Sequence, residues 1–301
     1  MSDPILIDGP WQHEYVHAHG ARFHVATVGE GPLVIFLHGF PTFWWLWRNS
    51  LPEVAAAGFK AVALDLRGYG ASDHPPRGYD PRTLAADVAG VIRALGYKDA
   101  ILVGQGVGGL VAWTAAALQT NSVRAIATVS AAHPNALRKA MLTSTAQLKA
   151  LSYVLSFQRP WIAERALTKK NAFAVGELLS SWMLQKELDP LVKDKYRNAF
   201  LQGNTAHCAI EFHRWALRSI PRFDGKKFST DMAKYILQPV LQLHGSYDTS
   251  ILLETARDSR EFVSGDYEFI ELINTGHLIP EDNPTEMNKH LLAWLRKVEN
   301  T

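Results

Sequence analysis

A run of glycines between an apolar strand and an apolar helix constrains this chain more than any other feature. Residues 103–109 read V-G-Q-G-V-G-G, follow the apolar stretch 100–102 and precede the apolar stretch 110–113. The pattern predicts that a buried strand ends at these glycines and that a helix begins there. Small residues at such a junction let the strand and the helix approach closely.

Two motifs fit these glycines. Gly104, Gly106 and Gly109 match the G-x-G-x-x-G of a dinucleotide-binding turn. Gly104 and Gly108 frame the G-x-(nucleophile)-x-G of a nucleophile elbow, with Gly106 at the nucleophile position. The first motif requires an acidic residue about 20 residues further on, whereas residues 126–132 read I-A-T-V-S-A-A. We therefore favour an elbow that forms readily, since glycine tolerates a positive φ, but presents no nucleophilic side chain.

The composition predicts a globular protein without a nucleic-acid partner. Of the 301 residues 47% are apolar, and 31 basic against 29 acidic residues give a net charge of +2. This total gives no electrostatic argument for nucleic acid or for an acidic membrane surface. The single cysteine suits a reducing compartment, and no signal-peptide pattern is visible at the start. We expect a cytoplasmic protein without a membrane span, in which residues 100–118 form a buried strand and helix.

Strand-like and helix-like segments alternate in the first half of the chain and return at its end. The predicted strands are Arg22–Val28, Leu33–Leu37, Ala61–Leu64, Ile101–Val103, Ala125–Val129, Pro239–Leu243 and Tyr267–Leu272. Helices are expected to begin at Pro81 and to span Pro284–Val298. This pattern indicates a doubly wound α/β fold.

The segment between these two parts has a different character. Strand-like runs are missing from about residue 134 to residue 232, and Ala146–Phe157 and Pro190–Leu201 have helical spacing. We therefore predict an N-terminal part of the core at residues 1–134, a helical lid at 135–232 and a C-terminal part of the core at 233–301.

Short polar or glycine-rich stretches follow four of the predicted strands, at the edge where open α/β sheets form their sites. His38-Gly39-Phe40-Pro41 is a turn that can direct a backbone N–H at a developing oxyanion. Asp65 and Arg67 are expected to brace loops through charge-assisted hydrogen bonds. Asp248 and His277 each follow a strand in the C-terminal part. Nucleophile, acid and base then occur in the order of a hydrolase triad, with His277 as general base and Asp248 as the residue that orients it.

Taken together, these motifs resemble the α/β-hydrolase superfamily over nearly the whole chain, and most closely its epoxide hydrolase and haloalkane dehalogenase branch. The resemblance rests on H-G-F-P at 38–41, D-L-R-G-Y-G-A-S at 65–72, A-A-H-P-N at 131–135 and Y-V-L-S-F-Q-R-P at 153–160. It implies an α/β-hydrolase fold, with a mostly parallel central sheet and a helical lid insertion. It also implies an oxyanion hole from the backbone of Phe40 and Val107, and a lid tyrosine, Tyr153, that polarises an epoxide oxygen.

The sequence departs from that branch at two positions. The family carries an aspartate at the elbow, which opens the epoxide to an ester, where this chain has Gly106. At the position of a second lid tyrosine it has His213, within Phe212-His213-Arg214. We expect His213 to be a lid polar contact that could still donate a hydrogen bond, although it matches the family less well than a tyrosine. Aromatic residues near the H-G-F-P turn predict an apolar pocket for a small apolar molecule, an epoxide or similar. The expected pocket residues are His38, Pro41, Trp44, Trp45, Gln105 and Phe157, and we expect no metal or cofactor.

Three interpretations of Gly106 remain open at this point. The chain could be a nucleophile-removed variant of an active epoxide hydrolase. It could be a non-catalytic member of the fold that binds a ligand or a partner. It could also remain an enzyme in which His277 activates water directly, with slow turnover because the covalent route is lost. A homodimer is possible under any of the three interpretations.

Overall fold

An eight-stranded sheet lies at the centre of the computed structural model, which describes residues 3–184 and 187–300. The strands are β1 (Gln12–Ala18), β2 (Ala21–Val28), β3 (Leu33–Leu37), β4 (Lys60–Leu64), β5 (Ala100–Gln105), β6 (Val123–Val129), β7 (Val240–Gly245) and β8 (Tyr267–Leu272). Their spatial order is β1-β2-β4-β3-β5-β6-β7-β8. β1 pairs with β2 and β2 with β4 in antiparallel fashion, whereas all pairs from β4 to β8 are parallel.

The central strands are buried on both faces, as their continuous apolar runs predict. Every residue of β3, β5 and β7 is buried, while β8 at the sheet edge is largely half-exposed. The predicted doubly wound α/β pattern and its mostly parallel sheet are therefore confirmed. The edge strand β1 was not predicted, because its mixed sequence, Q-H-E-Y-V-H-A, carries little apolar alternation.

Helices cover both faces of the sheet and fill the interval between β6 and β7. The helices are α1 (Leu51–Ala56), α2 (Pro81–Ala94), α3 (Val107–Leu118), α4 (Pro134–Thr143), α5 (Thr145–Ala150), α6 (Tyr153–Ser156), α7 (Ile162–Ser181), α8 (Pro190–Phe200), α9 (Thr205–Arg218), α10 (Phe223–Asp231), α11 (Leu253–Arg257), α12 (Ile279–Asp282) and α13 (Pro284–Glu299). Seven of them, α4 to α10, follow β6 and precede β7. None of the described helices is both long and apolar enough to cross a membrane.

Local sequence explains where several helices begin and end. Pro81 begins α2, and the Asp80 side chain accepts the N–H groups of Arg82 and Thr83, which have no partner inside the helix. The predicted helix Ala146–Phe157 is wrong in one respect, since it is divided into α5 and α6. Apolar residues keep helical spacing through both short helices, so periodicity alone could not locate the break.

Asp65 and Arg67 brace loops next to the sheet edge, as predicted. The buried Asp65 carboxylate accepts hydrogen bonds from His24 Nδ1 at 2.8 Å and from the backbone N–H of Trp44 at 2.9 Å. Arg67 binds Asp87 on α2 through two hydrogen bonds of 2.7 Å. These contacts fix the loop after β4 beside the loop after β3, where the candidate site lies.

Candidate functional site

The turn between β5 and α3 has the strained geometry of a nucleophile elbow. Gly106 separates the two elements with φ +53° and ψ −115°, and its N–H donates to the carbonyl of Val129 on the neighbouring strand. A positive φ is unfavourable for residues with a side chain, so glycine is the residue that adopts this turn at least cost. The elbow predicted from the glycine spacing is formed.

The flanking glycines are required by close packing, whereas the space at Gly106 is open. A Cβ on Gly104 would lie 2.3 Å from the carbonyl oxygen of Gly108, and one on Gly108 would lie 2.2 Å from that of Leu37. A Cβ on Gly106 would meet nothing nearer than His277 Nε2 at 3.8 Å. A side chain at position 106 would therefore fit, and its first neighbour would be the imidazole.

His277 and Asp248 form a buried pair beside the elbow. The Nδ1 atom of His277 donates to Asp248 Oδ2 at 2.8 Å, and Asp248 Oδ1 accepts the N–H groups of Ser250 and Ile251, both at 2.8 Å. Burial opposes ionisation of Asp248, but the charge and hydrogen bond of His277 outweigh it and hold the pKa of that carboxyl below its usual value. The ionised carboxylate fixes the imidazole so that Nε2 faces Gly106.

The helical insertion holds His277 from the other side. The N–H of His277 donates to the carbonyl of Trp182, just after α7, at 2.7 Å. The Trp182 ring packs edge-on against the imidazole with the ring centres 4.9 Å apart. Sequence reasoning did not identify Trp182, because it sits at a helix end with no motif around it. Gln105 is buried, and its side-chain amide lies 3.4 Å from the carbonyl of His277.

Phe40 and Val107 flank the elbow. Phe40 follows β3, its peptide bond to Pro41 is cis, and Val107 is the first residue of α3. First-turn N–H groups have no acceptor within their own helix, so that of Val107 is available to a ligand. Both side chains line a cavity between the sheet edge and the helical insertion.

A cavity of about 280 Å³ lies between the sheet edge and the helical insertion. Gly106, Val107, Leu110 and His277 line it from the core. From the insertion it is lined by Asn135, Arg138, Met141, Leu148, Leu151, Tyr153, Leu155, Trp182, Phe212, His213, Trp215, Ile220 and Phe228, among others. Most of these side chains are apolar, which suits an apolar ligand.

Tyr153 and His213 enter the cavity from the insertion, at the start of α6 and on α9. Burial raises the pKa of Tyr153 to about 12, so its hydroxyl remains a proton donor at neutral pH. Burial lowers the pKa of His213 to about 4, so its ring is neutral. Its Nδ1 lies 3.2 Å from the carbonyl oxygen of Ala209, and because a carbonyl only accepts, Nδ1 carries the hydrogen. The other ring nitrogen of His213 is then an acceptor and cannot polarise an epoxide oxygen.

The six expected pocket residues are not among those that line the cavity in the described part of the chain. Gln105 is the last residue of β5, and Pro41 belongs to the turn before Trp44 and Trp45. Trp44 is fully buried and donates its indole N–H to the carbonyl of Ile5. Trp45 packs against Arg48, whose guanidinium lies 4.0 Å from the ring centre.

The two remaining pocket candidates, His38 and Phe157, are also outside the cavity lining. His38 is buried, accepts the N–H of Leu66 on Nε2 and so joins the loops after β3 and β4. Phe157 packs edge-on against Phe40, Tyr153 and His213. The expectation that the six residues line the pocket is therefore wrong for the described residues.

Comparison with known proteins identifies the family. A family profile described as the alpha/beta hydrolase fold matches residues 32–284. The chain belongs to the α/β-hydrolase family, in its epoxide hydrolase-like branch. Epoxide hydrolase 3 of Xenopus tropicalis is 31% identical to it over 95% of this chain and 78% of that protein. Epoxide hydrolase 4 of Homo sapiens is 29% identical over 99% of this chain and 81% of that protein.

The solved structures agree with the fold. An epoxide hydrolase from an endophytic Streptomyces superposes on this α/β-hydrolase with a TM-score of 0.85, at 25% identity and 98% coverage of both chains. The expected α/β-hydrolase fold is therefore confirmed.

Proposed function

We propose that this α/β-hydrolase binds a small apolar epoxide in the cavity and hydrolyses it slowly without an ester intermediate, with His277 and Asp248 activating water directly. Support comes from the space at Gly106: a Cβ there would lie 3.8 Å from His277 Nε2, with no other atom closer. The similarity of this chain to proteins named epoxide hydrolase 3 and epoxide hydrolase 4 favours epoxides as the substrate class. In this proposal residues 135–232 act as a lid over the cavity. The homodimer and the cytoplasmic location expected from the sequence remain predictions.

The proposed reaction uses three side chains. A water molecule beside Gly106 gives a proton to His277 Nε2 while its oxygen attacks an epoxide carbon. The carbon–oxygen bond of the ring breaks, and the Tyr153 hydroxyl gives its proton to the departing oxygen. The product is a vicinal diol, and the proton on His277 returns to the tyrosinate through solvent. Asp248 stabilises the imidazolium while it exists.

The proposed route is expected to be slower than a covalent one, because position 106 has no nucleophilic side chain. An aspartate at position 106 would be held next to the substrate and would divide one difficult step into two easier ones. On the proposed route the epoxide carbon is attacked by a water molecule, which the chain must orient, and not by a side chain already held in place. Because no ester forms, no tetrahedral oxyanion arises from its hydrolysis, and the N–H groups of Val107 and Phe40 have no such intermediate to stabilise on this route.

A second candidate function is ligand binding without turnover. Its support is that two polar groups are missing together: Gly106 has no side chain, and the ring of His213 offers an acceptor where a donor would be needed. An apolar molecule bound in this cavity would then be retained unchanged.

The experiment compares hydrolysis of a panel of aryl and alkyl epoxides by four proteins: the chain itself, Gly106→Asp, His277→Ala and the double variant. We expect measurable turnover by the chain that is lost in His277→Ala, and faster turnover by Gly106→Asp. Single-turnover analysis by mass spectrometry should detect an ester only in the variants that carry Asp at position 106.

The outcomes separate the candidates. Turnover by Gly106→Asp alone would contradict direct water activation and favour the binding function. Ligand affinity unchanged in His277→Ala, together with no turnover by the chain, would favour it further. No turnover by any of the four proteins would contradict the epoxide proposal for this cavity.

A further inference from the structure

The small net charge of this chain conceals an uneven distribution. Residues 134–232 carry 16 basic and 8 acidic residues, whereas the rest of the chain carries 15 basic and 21 acidic residues. The segment that contains α4 to α10 is therefore strongly positive and the core is negative. A net charge near zero for the whole chain therefore does not exclude an acidic partner for this segment.

Exposed apolar side chains are concentrated in the same segment. Among the described residues, fifteen large hydrophobic side chains are exposed, and ten of them lie between residues 134 and 232. Four of these ten also line the cavity: Leu142, Leu148, Leu155 and Ile220, with exposed fractions of 74%, 46%, 58% and 45%. The mouth of the cavity is thus rimmed by apolar side chains that face solvent. Grouped apolar exposure of this kind marks an interaction surface.

Two cations lie in the same helical segment as these side chains. Arg138 lines the cavity, and Lys149 follows Leu148 on α5 and is exposed. Neither forms an ion pair with any residue in the described ranges 3–184 and 187–300. We call Arg138, Leu142, Leu148, Lys149, Leu155 and Ile220 the mouth surface.

We propose that the mouth surface docks onto an anionic lipid bilayer, so that apolar ligands enter the cavity from the membrane. Leucine and isoleucine side chains gain by insertion at the interface between headgroups and acyl chains, and Arg138 and Lys149 are attracted by anionic headgroups. Pairing of two copies through this face would oppose two positive surfaces. A nucleic acid would satisfy the cations but would leave the leucines in water.

This proposal concerns binding alone and does not depend on turnover. The first test is sedimentation of the protein with vesicles of phosphatidylcholine, or of phosphatidylcholine mixed with phosphatidylglycerol. We expect sedimentation with the mixed vesicles, weakening as salt is added because the attraction is screened. Neutral vesicles should retain much less of the protein.

Matched variants locate the surface. Leu142→Ser should weaken vesicle binding severalfold. Leu237→Ser should leave binding unchanged, since Leu237 has the same exposed fraction of 74% but lies outside the helical insertion. Lys149→Glu should weaken binding by roughly tenfold, since a cation near an anionic bilayer contributes about fivefold and an anion opposes binding. Lys98→Glu, at an exposed core residue, is its control. All four side chains are exposed, and circular dichroism verifies that each variant is folded.

Three results would overturn the proposal. The first is no sedimentation with the mixed vesicles, and the second is equal loss of binding in Leu142→Ser and Leu237→Ser. The third is a dimer in analytical ultracentrifugation that Leu142→Ser dissociates while vesicle binding stays absent. That result would assign the mouth surface to a second copy of the chain.

Discussion

His277 Nε2 lies 3.8 Å from the point where a Cβ on Gly106 would stand, and no other atom is nearer to that point. The imidazole therefore faces an unfilled space at the strained turn between β5 and α3. The Asp248 carboxylate behind it keeps the imidazole in place through a 2.8 Å hydrogen bond. The imidazole, the carboxylate and the strained turn thus lie together, and position 106 carries no side chain.

Alanine substitutions should distinguish the open elbow position from the packed one. Gly106→Ala should lower the free energy of unfolding by about 1–2 kcal/mol, because a side chain must adopt a positive φ although nothing obstructs it. Gly108→Ala should cost more, since its Cβ would lie 2.2 Å from the carbonyl oxygen of Leu37 and β3 would have to move. Urea unfolding of the two variants checks this order. Equal losses would mean that the space at Gly106 is not open.

Replacement of Asp248 should separate orientation from binding. In the Gly106→Asp background, Asp248→Asn should lower kcat by roughly 10⁴-fold with little change in KM, the size of loss measured when a serine protease loses its triad carboxylate. The amide can stabilise the wrong tautomer of His277 and cannot offset an imidazolium charge. Steady-state kinetics on an aryl epoxide checks the split between kcat and KM.

The pH dependence of Asp248 gives the control. Its pKa is below the usual value in the folded chain, so its stabilising contribution is complete above the usual pKa and is lost as the pH falls through the lowered one. Asp248→Asn should remove this part of the acid dependence of unfolding. An acid profile that is unchanged in Asp248→Asn would contradict the buried ion pair.

How far the sequence predicts this site depends on the kind of residue. Gly106, Asp248 and His277 were placed at strand ends because parallel strands finish at one edge of a sheet, and the structure brings them together there. Trp44 and Trp182 show where sequence reasoning stops. Trp44 lies near a motif but is buried against the N-terminal segment, whereas Trp182 has no motif and contacts the imidazole. Tertiary packing decides which large side chain faces a cavity, and local pattern does not record it.

The Glu164–Arg214 contact between α7 and α9 predicts acid sensitivity of the helical insertion. Burial alone would raise the pKa of Glu164, but hydrogen bonds from Arg214, at 2.7 Å, and from His207 lower it from 4.5 to about 2. The stabilising contribution is therefore complete above pH 4.5 and is lost as the pH falls towards 2. Arg214 also contacts Glu211 at 2.8 Å, so part of its charge remains paired.

Glu164→Gln should therefore destabilise the protein at neutral pH and flatten its unfolding profile between pH 4.5 and pH 2. Thermal unfolding across this range checks the expectation. Glu268→Gln serves as control, since Glu268 is an exposed carboxylate of β8 that has no ion pair with the described residues. A Glu268 variant with the same flattened profile would contradict the assignment to Glu164.

The His213 ring offers a hydrogen-bond acceptor, Nε2, to the cavity, where a donor would help to polarise an epoxide oxygen. In the Gly106→Asp background, His213→Tyr should raise kcat on epoxides by roughly 10²-fold, the scale of one added hydrogen-bond donor to a developing oxyanion. The phenol would supply a second proton donor beside that of Tyr153. The neutral imidazole has one N–H, and it donates to the carbonyl oxygen of Ala209. The ring lies against Phe40 and Phe157, so an aromatic replacement keeps the packing.

The matched control for this gain is His213→Phe in the same background, which keeps an aromatic ring and has no hydroxyl. We expect its kcat to stay near that of Gly106→Asp alone, because a neutral acceptor is exchanged for no polar group. A gain shared by the Tyr and Phe variants would attribute the effect to cavity shape. No gain with Tyr would show that a donor at position 213 does not reach the epoxide oxygen, and that Tyr153 alone polarises it.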